Sequence, residues 1–562
     1  MGGRMSRRRS ENTENEDDEE SLEWSQASAA DVDNPLEEDE SEESEETVLN
    51  RDIGADSLAA SILAFILRNS RHSRLLNAGG PFSSINIDID SGDDSDDSHY
   101  ISMGHFHRPA SPQAEPCPDT SRMEDSQIYL ETAVASGRLL NTDANIAKCI
   151  LQRESNIFKG RKRSRTKFCP SDQVRLHDIF LPNSMQTMKK FRQKLFCGEY
   201  STDGTVFMSA CQDQHIRLYD TTNGNFKLFR DISARDISWS IVDTAYSPDQ
   251  RFLIYASWSD SIYLCNIYGD YETHVPLNLR PEESRFCAFS ICFSQDNTQI
   301  LAGGSDQCLY VYDRGGDKRT LRVSGHEDDV NAVSFANETS DILFSGSDDG
   351  LCMVWDRREL KERDPKPVGI FAGHTDGVTY IDTKGDGRYL LSNSKDQTIK
   401  LWDMRKFSSK DSVRECKRIV SGANWDYRWE SAPRRSRRLT HVNGDPSVMT
   451  YRGHSVLQTL IRAKFSPPHN TGQKYIYAGC ASGNVVLYDI VSGKIASKLK
   501  GHKQCVRDIS WHPYEQTIMS SSWDQVIGRW QYSRMEEDLD CDQRSSKRKR
   551  TTGLSQFVQL RV

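Results

Sequence analysis

Three sets of residues in the second half of this 562-residue chain have the types that hydrolytic and metal chemistry use. They are His326, Ser345, Asp349 and Trp355; His374, Ser392, Asp396 and Trp402; and His502, Ser520, Asp524 and Trp530. An imidazole placed between a hydroxyl and a carboxylate is how a serine nucleophile is activated. His with Asp can also hold a metal ion. Repetition argues against both. From His to Trp the separations are 29, 28 and 28 residues, and a single active site has no use for three copies. A GxSxG elbow is missing, and no paired Cys or His spacing suits zinc. A structural role, recurring once per repeat, accounts for all three sets. No catalytic residue, metal site or cofactor is assigned.

The units that must position these sets are legible as a repeat. Strand-like segments close on an aromatic or apolar residue at Tyr219, Cys265, Tyr312, Trp355, Trp402, Tyr488 and Trp530, with intervals of 46, 47, 43, 47, 86 and 42 residues. Each alternates apolar and polar, as in Ile399-Lys400-Leu401-Trp402, the pattern of a half-buried strand. Six residues before the closing position stands Asp213, Asp306, Asp349, Asp396 or Asp524 in five units; Ser259 and Ser482 replace it in the second and sixth. A period near 40–45 residues, opening on Gly-His and closing on Trp-Asp, resembles the WD40 repeat, four strands to a propeller blade. The resemblance implies an all-β, seven-bladed WD40 β-propeller and a His–Ser–Asp–Trp polar chain inside the complete blades. Blades two and six, lacking the Asp, are expected to rely on packing. Residues 174–181 are expected to supply the outer strand that closes the ring, with the tail at 555–562 as competitor.

The remainder of the chain is of another kind. Residues 11–46 hold 18 acids and no Lys or Arg, so the net charge of −10 leaves the other residues near +8. Such a segment cannot bury enough apolar surface to offset its ordering entropy. Residues 1–125 therefore read as a largely disordered acidic arm. One docking-type helix interrupts it near 56–68, with Leu58, Ile62, Phe65 and Ile66 at helical spacing. Residues 126–190 read as a helical and basic linker, split near Gly137 and Asn141, and 191–535 as the propeller. An insertion near 407–450 carries Arg434, Arg435, Arg437 and Arg438, and 536–562 form a basic tail. No apolar run approaches the length that spans a bilayer, and no signal-peptide core follows the basic N-terminus. The 14 cysteines form no CxxC pair and read as buried free thiols of a reducing compartment.

Two adjacent blades extend the closing dipeptide to Trp-Asp-x-Arg, as Trp355-Asp356-Arg357-Arg358 and Trp402-Asp403-Met404-Arg405. Tandem motifs of this form resemble those of the WD40 substrate receptors of cullin-4 RING ubiquitin ligases. The resemblance implies that Arg358 and Arg405 meet the ligase's DNA-damage-binding adaptor, and through it the cullin. It also implies that a helix of the arm inserts into that adaptor: residues 56–68, with 126–153 in reserve. Protein substrates would meet the opposite propeller face or central channel, and ubiquitin transfer would belong to other subunits, so the chain is no enzyme. Neither membrane nor direct nucleic-acid contact is expected, and nucleus and cytoplasm are the expected compartments. A second reading is a nuclear scaffold for chromatin or RNA processing without ligase association. It rests on the basic clusters at 161–167 and 547–550.

Overall fold

The computed structural model describes residues 118–137, 146–154, 170–282, 285–337, 339–423, 425–433 and 442–534. The helix at 56–68, the cations Arg434 to Arg438 and the tails at 536–562 and 555–562 lie outside them.

Within these residues the chain forms seven four-stranded antiparallel sheets, the blades of a propeller. Blade one is Leu195–Tyr200, Val206–Cys211, His215–Asp220 and Lys227–Ser233, and the order repeats through blade seven. Innermost strands such as Val330–Phe335 in blade four are almost wholly buried, whereas an outer strand such as Lys318–Ser324 in blade three is mostly not. Blade faces pack on their neighbours: Leu301 and Val311 of blade three join Val330 and Leu343 of blade four in one buried cluster. Three of the closing residues, Trp355, Trp402 and Trp530, are among the largest fully buried side chains.

The turn between the second and third strands explains the repeated Asp. Its carboxylate accepts the backbone N–H two residues on, from Leu351 to Asp349 at 2.9 Å and from Thr398 to Asp396 at 2.9 Å, the self-bonding that makes Asp a turn residue. The residue between is left-handed. It is Gly350 in blade four, with φ +79°, but Gln397 in blade five, with φ +69°. The turn's own hydrogen bonds hold a non-glycine residue there.

Ring closure differs from the sequence expectation. Residues 174–181 do not form the outer strand: Pro170–Ile179 is a helix. Its signals are Pro in the first turn and Asp172 near the positive end of the helix dipole, and these outweigh the apparent alternation of Val174 and Leu176. The closing strand is Ser184–Lys190, antiparallel to Val526–Gln531 with Met185 opposite Trp530 and Lys190 opposite Val526.

Helices before the ring lie against it. We label them α1 (Ser121–Glu124), α2 (Gln127–Ala135), α3 (Ile146–Glu154) and α4 (Pro170–Ile179). The break after α2 falls at Gly137, with φ +69°. Met123 and Ile128 are buried in the core of blades five and six. The insertion runs from the end of blade five's third strand, where Ser408 N–H donates to Ile370 O at 2.9 Å beside blade four's outer strand. It then forms α5 (Lys410–Ser421), capped by Ser409 and burying Cys416 and Val420.

Candidate functional site

Each of the three sets assembles as one chain within its blade. His326 bonds Asp349 through Nδ1 at 2.9 Å and Ser345 through Nε2 at 2.7 Å, while Trp355 Nε1–H donates to Ser345 Oγ at 2.8 Å. His374 does the same with Asp396 at 3.0 Å and Ser392 at 2.6 Å, and Trp402 donates to Ser392 at 2.7 Å. In blade seven the distances are 2.9 Å to Asp524, 2.6 Å to Ser520 and 2.8 Å from Trp530. Burial pushes the Asp349 and Asp396 carboxyls up, but the imidazole beside each and the turn hydrogen bonds carry both below the usual range. Each serine oxygen is engaged by His and Trp together and buried, so no substrate carbonyl can reach it. These are structural chains.

Blades two and six are not held by packing alone, a correction to the sequence expectation. In blade six, His454 bonds Tyr488 Oη at 3.0 Å and reaches Asn393 Oδ1 of blade five at 2.9 Å. Burial pushes its imidazole down to about 4. In blade two, Tyr255 Oη meets His274 Nδ1 at 3.1 Å and accepts the Arg235 N–H at 2.8 Å. The polar chain is rerouted through a tyrosine hydroxyl: Tyr488 stands in place of the closing Trp in blade six, and Tyr255 in place of the chain serine, ten residues before Cys265, in blade two. The signal was present in Tyr488, which brings its own hydroxyl.

The channel on the propeller axis is spanned by its own side chains. Arg462 of blade six donates to Asp508 of blade seven at 2.9 Å and to Asp243 of blade two. Those carboxylates also accept backbone N–H groups from Gly198 of blade one, at 2.9 Å, and Ile291 of blade three, at 2.8 Å. Arg507 adds a bond to Val242 O at 2.7 Å. All of these charged groups are buried. Burial raises the Asp508 carboxyl, and the guanidinium of Arg462 more than offsets it. Sequence reading did not single these residues out.

At the end of blades four and five where the third strands finish, the Trp-Asp-x-Arg residues divide into two groups. Trp355 and Trp402 are fully buried and belong to the polar chains, not to a surface. Asp403 is held by Arg388 at 2.7 Å and is also buried. Arg358 and Arg405 are exposed. Arg358 forks onto its own motif's Asp356 at 2.6 and 2.9 Å, which holds that carboxyl at about 2. The same end of blade five anchors α2: Arg388 also bonds Gln127, Lys384 pairs with Glu131 at 3.2 Å, and Ile128 N–H donates to Tyr389 Oη at 3.2 Å. With its inner face so fixed, α2 turns Leu130 and Val134 outward, 57% and 60% exposed and one helical turn apart.

At the opposite end, aromatic side chains ring the axis. Trp239 packs on Phe196 and Trp523, Lys194 lies 4.0 Å over the Trp523 ring, and Trp425 Nε1–H donates to Asp376 at 2.7 Å. Trp425 comes from the insertion. Among the described residues there is no cluster of three His, Cys, Asp or Glu suited to a metal ion, and no helix long and apolar enough to cross a membrane. Burial pushes the Cys265 and Cys308 thiols up to about 12, which leaves them poor nucleophiles.

Comparison with known proteins agrees with this architecture. The WD domain, G-beta repeat model matches residues 284–313, 317–356, 365–403 and 493–531. The chain is 42% identical over 398 residues to the LEC14B protein of Lithospermum erythrorhizon, covering 68% of this chain and 82% of that one. It is 43% identical over 392 residues to the DDB1- and CUL4-associated factor 11 homolog of Caenorhabditis elegans, covering 67% and 68% respectively. The LEC14B homolog of Prunus armeniaca is 39% identical over 422 residues, covering 73% and 86%. With its seven blades, its polar chains and relatives this similar along most of their length, the chain belongs to the WD40-repeat family of the LEC14B proteins and the DDB1- and CUL4-associated factor 11 homologues.

Proposed function

We propose that the chain is the substrate-recognition subunit of a cullin-4 RING ubiquitin ligase, a non-catalytic receptor that binds the DNA-damage-binding adaptor and presents protein substrates. The observation that carries the reading is the composition of one propeller end. Arg358 and Arg405, exposed on adjacent blades, share it with α2, whose inner face is bonded to the ring and whose outer face offers Leu130 and Val134. A helix with one apolar face docked and another exposed suits insertion into a groove of a partner. Arg guanidinium groups beside it suit carboxylates and carbonyls at a rim. In this reading the adaptor contact uses α2, the reserve segment of the sequence analysis. The substrate face is the opposite end, around Trp239, Trp425 and Trp523.

The test is co-purification of the adaptor from nuclear and cytoplasmic extracts with wild type, Arg358→Ala/Arg405→Ala and Leu130→Glu/Val134→Glu. The expected result is loss of most adaptor and cullin-4 with either double variant. Undiminished recovery with both would overturn the reading and favour a nuclear scaffold.

A further inference from the structure

Two segments at the outer side of blades six and seven carry cations and no acids. Residues 490–507, spanning blade six's outer strand and the loop after it, hold Lys494, Lys498, Lys500, Lys503 and Arg507 and no acid. Residues 183–198, spanning the ring-closing strand, hold Lys189, Lys190, Arg192 and Lys194 and no acid. The fold joins these distant segments. Gly501 abuts the closing strand so closely that a Cβ there would lie 2.8 Å from Met185 Sδ. Lys500 sits opposite Asn484 and Lys190 opposite Val526, each the first residue of its blade's third strand, so both reach the same end of the propeller.

Lys189, Lys190, Arg192, Lys494, Lys500 and Lys503 are exposed, and none forms an ion pair among the described residues. On blade three's outer strand, by contrast, Arg322 pairs with Glu282 at 2.7 Å and Asp306 at 3.1 Å. Asp524, beside Lys503, is occupied by His502 at 2.9 Å and by the Lys503 N–H at 2.9 Å.

We propose that this sector binds the phosphate backbone of a nucleic acid. Neither segment carries an exposed large apolar side chain, so it lacks the aromatic or aliphatic anchors on which folded-protein interfaces depend and the apolar groups that insert into a membrane surface. What it offers is a row of mostly lysine point charges, which neutralise phosphates and release counterions without reading sequence. The sequence expectation of no direct nucleic-acid contact arose before these two segments were seen to meet.

The experiment is fluorescence anisotropy of the full chain with a labelled single-stranded RNA of roughly 30 nucleotides and mixed sequence, titrated across salt. The variant Lys189→Glu/Lys190→Glu/Lys500→Glu/Lys503→Glu should bind at least about tenfold more weakly, and its log–log salt slope should shrink by about 0.7 per lost contact. The same four positions changed to Gln should fall between it and wild type. Lys318→Glu/Lys366→Glu, on another part of the rim, should bind as wild type does. Equal affinity in wild type and the four-Glu variant overturns the proposal, as does binding lost on deleting 536–562 but kept in that variant. Displacement of the RNA by poly-glutamate of equal charge, as effective as by unlabelled RNA, overturns it in favour of an acidic protein.

Discussion

Blades four, five and seven hold a His–Ser–Asp–Trp chain, whereas blades two and six lack the turn Asp and route their polar contacts through Tyr255 and Tyr488, blade six reaching into blade five. The difference extends to the axis. Arg462, which clamps the channel, belongs to blade six, and one of its two carboxylates, Asp243, belongs to blade two. The clamp thus ties blades two and six to each other, and both to blade seven, across the ring. A closed toroid needs each blade oriented against its neighbours. That can be done by stiffening a sheet from within, or by bonding its innermost strand to other blades. The family's repeat signature records only the first solution.

Removing the clamp should have the largest effect. Arg462→Met leaves Asp243 buried without its cation and Asp508 with only Lys464, 3.8 Å away, a loss of about 3–5 kcal/mol, read as a fall in the urea midpoint. If the variant unfolds within about 1 kcal/mol of wild type, the axis does not hold blades two and six together. His374→Ala should follow at about 3 kcal/mol, because it strips Asp396 and Ser392 of their shared partner in a buried site.

Acidity separates the two classes of blade. The His454 imidazole is lowered by burial from 6.5 to about 4, so between those values the unfolded chain takes up a proton that the folded chain refuses. Its share of stability is whole above pH 6.5 and declines as pH falls towards 4, by up to about 1.4 kcal/mol per pH unit. Asp396 is lowered from 3.8, so its share is present above that value and lost only below it. Unfolding of wild type and His454→Phe, measured from pH 7 to pH 4, should therefore converge as pH falls. Parallel curves would mean that His454 is protonated in the fold. Trp530→Phe removes only the terminal donor of blade seven's chain and should cost about 1–2 kcal/mol, from one hydrogen bond and some packing.

The two solutions were unequally legible in sequence. Seven blades could be counted because Trp355, Trp402 and Trp530 recur at fixed distance from a Gly-His, and a local repeat is visible without knowing the fold. The ring-closing strand begins ten residues beyond the start of the expected segment because Ser184–Lys190, exposed along most of its length, carries little apolar alternation. The clamp was invisible. Arg462 and Asp243 are 219 residues apart, and nothing in a one-dimensional pattern pairs them. At the end of blades four and five where the third strands finish, the motif located Arg358 and Arg405, but their neighbours Trp355 and Trp402 are buried, since a conspicuous residue type can be conspicuous for its blade's interior. Helix α2 was only a reserve because its two apolar faces, Ile128 inward and Leu130 with Val134 outward, blur the single stripe by which an amphipathic helix is recognised.

The smallest effect on stability should come from the residues with the largest proposed effect on assembly. Arg358→Ala/Arg405→Ala removes one fork onto an exposed motif carboxylate and one exposed side chain, and solvent screens both. Surface ion pairs of this kind contribute about 0–1 kcal/mol, so the double variant should melt as wild type does while losing the adaptor. The contrast with His374→Ala, whose polar chain ends on the motif's own Trp402, is the informative one. A polar chain fails by unfolding its blade, and a docking residue fails with the propeller intact. If the Arg double variant lowered the melting temperature as far as His374→Ala, Arg358 and Arg405 would belong with the interior chains, and any loss of adaptor would be a consequence of unfolding.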